Sequence, residues 1–441
     1  MNKNYKVAIH NLGCKVNSYE ADAMIDDLEH HGYEIVPFSE FADIYIVNTC
    51  TVTNIAGRKS RQMLHKARKT NPRAVVIAAG CYVHTMEQGQ SVDGVVDIVI
   101  GNNKKQDLIE VLQTYQKDLM SLDTDNRDVY RALVDINQTK DFESLKLSKP
   151  RNHTRVNLKV QDGCNQFCSY CIIPYVRGRV RSRSLNDVVS EVETLAKEGC
   201  HEVVLTGIHL SSYGQDLTQS EDLLALIEAI HQIKGIKRIR LGSLEPRVIT
   251  EHFVDSLAKL DKFCPHFHLS LQSGSASVLK RMNRHYTPDE YLEKTKLIRE
   301  YFEHPALTTD IIVGFPGETS EEFQESKDFV EGVNFYETHI FKFSKRDGTK
   351  AASMQGQVPG DISQLRSEEM INLSILKRRE FEKYYIGKTV EVLIEDQVVS
   401  QGEEFYVGFT KEYIKVRVDS KDNLHNQLIS VNIKNESQIV H

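Results

Sequence analysis

The stretch RVNLKVQDGCNQFCSYC, Arg155 to Cys171, runs an alternating apolar segment into a turn glycine and then into three cysteines, Cys164, Cys168 and Cys171, spaced C-x3-C-x2-C. The alternation predicts a strand, and the cysteines fall just past its C-terminal end. Three thiols this close together wrap one face of one metal group. A structural zinc takes four protein ligands, usually as two nearby cysteines and two more, so a zinc site would need a distant histidine to complete it. A cubane [4Fe–4S] cluster is held by thiolates on its four irons, and a trio leaves one iron open. The spacing favours the cluster.

Downstream of the trio, five further strand patterns appear at EVVLTG, IKRIRLGS, FHLSLQS, LTTDIIVG and YETHIFKFS, with helical patterns between most of them, including 187–198 and 288–302. With the opening strand they make six units, an incomplete (β/α)6 barrel whose active face is the C-terminal end of its strands. His266 and His268 alternate along one strand and read as barrel interior rather than ligands. A helix near 362–385 leads into alternating short runs with turn signals, a small all-β barrel.

Upstream, strands and helices alternate from residue 3 to about 115, as in a doubly wound parallel α/β domain. Cys14, Cys50 and Cys81 each follow a different strand, and the crevice at such strand ends is where open α/β sheets bind ligands. Asn17 and Glu20 have capping-box spacing and place the first helix start just after Cys14. The predicted boundaries are an N-terminal domain over 1–118, a polar linker over 119–150, the barrel over 151–383 and the small β domain over 384–441.

The chain of 441 residues is 27% charged and 40% hydrophobic, with a net charge of −7. No apolar run of about eighteen or more could span a bilayer, and the start MNKNYKVAIHNLGC lacks a signal-peptide core, so a cytoplasmic protein without a membrane partner is expected. Eight cysteines in a reducing compartment read as metal ligands or buried thiols; Cys200 and Cys264 match no cluster motif and are expected to be the latter. The segment 57–73 carries seven Lys/Arg and no acid, 146–159 carries five and no acid, and RGRVRSR adds Arg177, Arg179, Arg181 and Arg183. Basic clusters around both trios point to a polyanionic substrate, although the C-terminal segment 384–436, with six Lys/Arg against nine Asp/Glu, is acidic.

The C-x3-C-x2-C run, with Tyr170 before its last cysteine, resembles the radical SAM superfamily. That resemblance makes S-adenosylmethionine the ligand of the open iron. GCKVN at Cys14, NTCTVT at Cys50 and AAGCY at Cys81 resemble the methylthiotransferases, which implies a second, auxiliary [4Fe–4S] cluster on those three cysteines. NTCTVT and GCNQFCSYCIIPYVRGRVRSR are most similar to the MtaB branch, and the C-terminal barrel is similar to the RNA-binding TRAM domain. The resemblance implies a transferase that adds a methylthio group to C2 of N6-threonylcarbamoyladenosine at tRNA position 37. A 5′-deoxyadenosyl radical would abstract the C2 hydrogen, the auxiliary cluster would supply sulfur and a second cofactor molecule the methyl group, so no side chain is itself catalytic.

By the same resemblance, LTGIHLSSYG, SLEP, LQSGS and DIIVGFPGE are cofactor-side segments, which nominates Thr206, Gly207, Ser243, Glu245, Gln272, Asp310 and Gly314 with Tyr170 as contacts to S-adenosylmethionine. Implied partners are the tRNA anticodon stem-loop, an electron donor of flavodoxin or ferredoxin type and a sulfur donor. Arg58, Lys59, Arg61, Arg177, Arg179, Arg181 and Arg183 are the expected RNA contacts. The alternatives are a methylthiotransferase for isopentenyladenosine tRNA or a ribosomal protein, and a non-catalytic iron–sulfur RNA-binding protein.

Overall fold

In the computed structural model, which describes residues 5–85, 94–121, 129–151, 154–217, 221–400 and 402–441, the chain folds as two units. The first comprises 1–148, 157–183 and 344–352, and the second 149–156, 184–343 and 353–441.

The first unit is built on a parallel sheet of β1 (Lys6–Asn11), β2 (Glu34–Ile35), β3 (Ile44–Thr49), β4 (Val75–Gly80), β5 (Ile98–Ile100) and β6 (Tyr130–Ala132), in the order β2-β1-β3-β4-β5-β6. Central β3 is buried at every residue. Its alternation sends Ile44 and Ile46 to one face, against Met24 and Leu28 of α1 (Lys15–His30) and Leu112 of α3 (Leu108–Ser121). Tyr45 and Val47 go to the other face, against Leu64 and Ala67 of α2 (Asn54–Thr70). A strand sandwiched this way must be apolar on both sides, which is why IYIV reads as a continuous run. β7 (Arg155–Asp162) and β8 (Arg181–Ser182) pair antiparallel at Asp162 and Arg181, and the short α4 (Ile173–Val176) lies between them in sequence.

Two sequence expectations change here. Asn17 and Glu20 are not a capping box: α1 begins at Lys15 with Cys14 as its cap residue, and both side chains sit buried within the helix. The polar stretch 119–150 is also not a free linker among its described residues. It supplies β6, buries Leu145 and Leu147, and hydrogen-bonds to α1 through Tyr19 Oη to the Leu145 carbonyl (2.6 Å) and through the Ser148 amide and hydroxyl to the buried Asp26 carboxylate (2.8 and 3.0 Å). A three-residue edge strand needs little apolar content, and Asp26 gives the polar residues a partner.

In the second unit α5 (Leu185–Lys197) is followed by β9 (Glu202–Gly207), α6 (Leu223–His231) and β10 (Arg238–Leu241), and β9 and β10 pair in parallel. β11 (Ser243–Leu244), β12 (His266–Leu269), β13 (Ala306–Val313) and β14 (Glu337–Lys342) form a parallel sheet in chain order, interleaved with α7 (Glu251–Ala258), α8 (Ala276–Arg281), α9 (Pro288–Tyr301) and α10 (Ser320–Val333). All six strands of the expected series are present, as β7, β9, β10, β12, β13 and β14. Capping boxes at Thr287/Glu290 and Thr319/Glu322 start α9 and α10.

The end of α11 (Gly360–Lys383) and Tyr385 bury their aromatics against an antiparallel sheet of β15 (Thr389–Ser400), β16 (Glu403–Phe409), β17 (Lys415–Val418) and β18 (Leu428–Asn432), ordered β17-β16-β15-β18. Phe381 and Tyr385 meet Val392, Ile394, Tyr406 and Val416, so the small sheet shares a core with the helix before it. Cys200 and Cys264 are buried, and burial pushes both thiols up to about 12.

Candidate functional site

The first trio is assembled by the sheet order. β1, β3 and β4 are adjacent and parallel, so the residues that follow them lie together at one sheet edge: Cys14 caps α1 after β1, Cys50 follows Thr49, and Cys81 follows Gly80. Burial pushes the Cys50 thiol up to about 11, and the neighbouring Cys81 and Cys14 add to the rise. Gly13, at φ +111°, makes the close approach possible; a β-carbon there would stand 3.0 Å from Cβ and 3.1 Å from Sγ of Cys50.

Behind these thiols lies a buried charge cluster. Arg177 is fully buried and donates from Nε to Cys81 Sγ at 3.2 Å, from Nη1 to Glu20 at 2.9 Å and to Asp162 at 3.0 Å, and from Nη2 to Asn17 Oδ1 at 2.6 Å. Asn17 Oδ1 in turn accepts from Cys14 Sγ, and Asn102 Nδ2 donates to Cys81 Sγ at 3.6 Å. Lys159 reaches Glu20 at 2.7 Å and Asp162 at 2.8 Å, and Lys105 reaches Glu20 at 3.1 Å. Burial alone would raise the Glu20 carboxyl, but Arg177, Lys105 and Lys159 overcome it and hold the group well below the usual carboxylate range.

Arg181 completes the cluster at 3.7 Å from Asp162, and Glu143 lies 3.6 Å from Lys159. Lys105, Lys159, Arg177 and Arg181 thus face Glu20, Glu143 and Asp162, and the surplus positive charge points through Arg177 at Cys81. A buried cation requires a counter-charge. Thiolates of an iron–sulfur cluster supply one, and N–H donors aimed at sulfur are a recognised means of tuning such a cluster. The donor set fits the group.

The second trio occupies the loop after β7. Gly163, at φ +70°, starts it; a β-carbon there would lie 1.8 Å from the Arg179 carbonyl oxygen, so only glycine fits. The Cys164 amide donates to the Gly178 carbonyl, the Gln166 amide points at Cys164 Sγ (3.5 Å), and the Cys171 amide closes on the Cys168 carbonyl. Cys168 and Cys171 are half-buried. Ile172 and Val176, directly after this trio, pack on Cys81, so one short segment carries the second trio's loop and the side chains that contact the first.

In the second unit, Gly207 ends β9, Ser243 opens β11 two residues after β10, and Glu245, Gln272 and Gly314 come after the C-terminal ends of β11, β12 and β13. Glu245 is buried; desolvation opposes its charge, but His209 and Arg284 (3.2 Å) hold its carboxyl below the usual range. The Thr206 hydroxyl donates to the Val204 carbonyl, and the Gly314 amide donates to Glu318, which pairs with Arg366 at 2.6 Å. Gln272 sits in the left-handed region at φ 73°. Asp310 differs from the others: it lies inside β13, 3.3 Å from His268, and His339 on β14 is its register partner. Ligand atoms of His268, Asp310 and His339 all fall within 4.8 Å of one another. Tyr170 lies in the first unit, within the second trio's loop.

The basic residues divide. Arg58, Lys59 and Arg61 are exposed on α2, and Arg179 is exposed with its guanidinium over the Phe167 ring at 4.6 Å. Arg177, Arg181 and Arg183 are buried at 0, 1 and 2% exposure, which removes them from any RNA surface. The first two serve the carboxylate cluster, and Arg183 reaches Tyr19 Oη at 3.3 Å. Asn17 and Glu20, which the sequence suggested only as helix-capping residues, and Asn102, Lys105 and Lys159, which it did not single out, also belong to this cluster; their partners are not local in sequence. A cavity of about 530 Å³ opens beside the first trio, lined by Arg58, Arg61, Tyr82 and Arg346 among others.

No helix among the described residues is long and apolar enough to cross a membrane. Residues 158–330 match the radical SAM superfamily model, and residues 6–101 match that of the family described as UPF0004. The chain is 36% identical to threonylcarbamoyladenosine tRNA methylthiotransferase MtaB of Bacillus subtilis, over 97% of this chain and 93% of the relative. It is 38% identical to the Aquifex aeolicus protein of the same name (93 and 97%), and 34% identical to the tRNA-2-methylthio-N(6)-dimethylallyladenosine synthase of Alkaliphilus oremlandii (98 and 90%). Among solved structures, the radical S-adenosylmethionine methyltransferase TsrM of Kitasatospora setae shares the fold at TM-score 0.58 and 18% identity, over 79% of this chain and 77% of that one. Two cysteine trios at strand ends, and relatives of this identity along nearly the whole length, lead to one conclusion: the chain belongs to the radical SAM methylthiotransferase family.

Proposed function

We propose that this protein adds a methylthio group to C2 of N6-threonylcarbamoyladenosine at position 37 of tRNA. The observation that carries the reading is the gathering of two cysteine trios in one unit, together with relatives at 36 and 38% identity named for threonylcarbamoyladenosine tRNA. Cys14, Cys50 and Cys81 hold the auxiliary [4Fe–4S] cluster, and Cys164, Cys168 and Cys171 hold the one that takes S-adenosylmethionine. When bound, these groups supply the one-electron and sulfur chemistry that replaces an aromatic C–H bond, which no side chain here could do.

The chain's own residues position and tune. Arg177 and Asn102 each donate a hydrogen bond to Cys81 Sγ and so fix its position. Thr206, Gly207, Ser243, Glu245, Gln272, Asp310, Gly314 and Tyr170 bind the cofactor, Glu245 offering a carboxylate to its ammonium or ribose. Lys59, Lys66 and Lys69 form a stripe at helical spacing on the exposed face of α2 and, with Arg73 in the turn that follows and Arg179, meet backbone phosphates of the anticodon stem-loop. The proposed division is 1–118 for the auxiliary cluster, 151–383 for the radical chemistry and 384–441 as a TRAM domain, in a cytoplasmic enzyme served by a flavodoxin- or ferredoxin-type reductant and a sulfur donor. Mass spectrometry of tRNA nucleosides from a deletion strain tests the reading. Loss of 2-methylthio-N6-threonylcarbamoyladenosine supports it, whereas loss of only the dimethylallyl counterpart, or of neither, refutes it.

A further inference from the structure

The cavity beside the first trio has a composition that a general RNA surface does not require. Three guanidiniums line it, from Arg58, Arg61 and Arg346, against one acid, Asp347. Arg346 is clamped by Asn54 Oδ1 at 2.6 Å and by the Thr51 hydroxyl, and its Nε is buried with no hydrogen-bond partner. Arg61 is braced on the Tyr82 hydroxyl at 3.1 Å. α2 begins here, so its N-terminal partial charge adds to the positive field. Ile55, at 58% exposure, gives the cavity an apolar lip. Thr51 directly follows Cys50 and Tyr82 directly follows Cys81, so the cationic wall abuts two of the three auxiliary cysteines.

We propose that this cavity takes the threonyl carboxylate of the substrate nucleoside, with Arg58, Arg61 and Arg346 as the residues that read it. The inference rests on the function proposed above. The carboxylate and the reacting carbon belong to one small group: the threonylcarbamoyl chain hangs from N6, and C6 and C2 flank the same ring nitrogen. Bringing C2 to the auxiliary cysteines therefore carries the carboxylate to the adjoining wall, while the nucleotide's phosphates leave from the opposite side of the base through the ribose. A dimethylallyl group carries no charge and would cover this cationic wall without offering it a counter-charge, leaving the buried Nε of Arg346 without a partner, so the same wall selects against it.

The test uses the reconstituted full-length enzyme and two anticodon stem-loops, one bearing N6-threonylcarbamoyladenosine and one its neutral methyl ester. Arg346→Gln, and separately the surface double variant Arg58→Gln/Arg61→Gln, should lower kcat/KM for the acid substrate by about 10- to 150-fold, the range for a hydrogen bond to a charged group. The ester should change by less than about threefold, within the range of a surface substitution. Binding measured by fluorescence anisotropy should show the same split. Equal losses on acid and ester, with a reduced salt slope for both, would assign these arginines to phosphates and overturn the proposal. If wild-type enzyme methylthiolates only a dimethylallyladenosine stem-loop, the function itself is wrong and this inference falls with it.

Discussion

Replacing Glu20 by Gln keeps the shape of a fully buried side chain and removes the one carboxylate that Arg177, Lys159 and Lys105 share, at 2.9, 2.7 and 3.1 Å. Breaking a buried ion pair from one side costs about 3–5 kcal/mol, because the remaining charges keep their desolvation penalty. The folded carboxyl titrates far below its unfolded value, so this contribution is fully present above about pH 4.3 and is lost only as pH falls below that. At neutral pH the whole cost should appear. The chain has no tryptophan, and it forms two units, so hydrogen-exchange mass spectrometry is the assay, reading β1, β3 and β4 separately from the second unit. Exchange of those strands should accelerate by roughly two to three and a half powers of ten. Arg177→Met should cost a similar amount, and the double variant should cost clearly less than the two singles added. A change under about 1 kcal/mol, or strict additivity, would show that the cluster does not act as one charge-balanced unit.

Changing Cys164, Cys168 and Cys171 together to Ala should leave about four irons per chain after anaerobic reconstitution, the content of one cubane; iron analysis showing none or about eight would contradict two separate sites. Gly163→Ala should reproduce much of that loss, since its β-carbon would meet the Arg179 carbonyl at 1.8 Å. Lys59→Ala/Lys66→Ala/Lys69→Ala should flatten the salt dependence of stem-loop binding by about 0.7–0.9 log units for each phosphate that is no longer neutralised; an unchanged slope would move the RNA off α2. His84 accepts from the Asn102 amide at 2.8 Å and is pushed down to about 4 by burial, with Lys105 and Arg177 adding to the shift. Since the unfolded imidazole binds its proton near pH 6.5, that stability, up to about 3 kcal/mol, is present above 6.5 and drains away as pH falls toward 4. Urea melts of His84→Gln should lose that pH dependence.

Cys14, Cys50, Cys81 and Cys164 were legible because each sits just past a short strand-like run, and Cys168 and Cys171 because their spacing from Cys164 is itself a local signal. The order of strands and helices followed for the same reason, and with it the placement of Cys14, Cys50 and Cys81 at neighbouring strand ends. Residues 119–150 were not legible: a three-residue edge strand and a polar strap leave almost no periodicity. RGRVRSR misled for a different reason. Alternating arginines look solvated, and whether a guanidinium is exposed depends on carboxylates elsewhere in the chain; the partner of Arg177 is 157 residues away at Glu20. Pattern along a chain reports what a segment does with its neighbours in sequence. Burial of a charge is settled only when distant segments bring opposite charges into a space that water has left, and so only tertiary structure could turn an apparent RNA-binding run into the support behind Cys81.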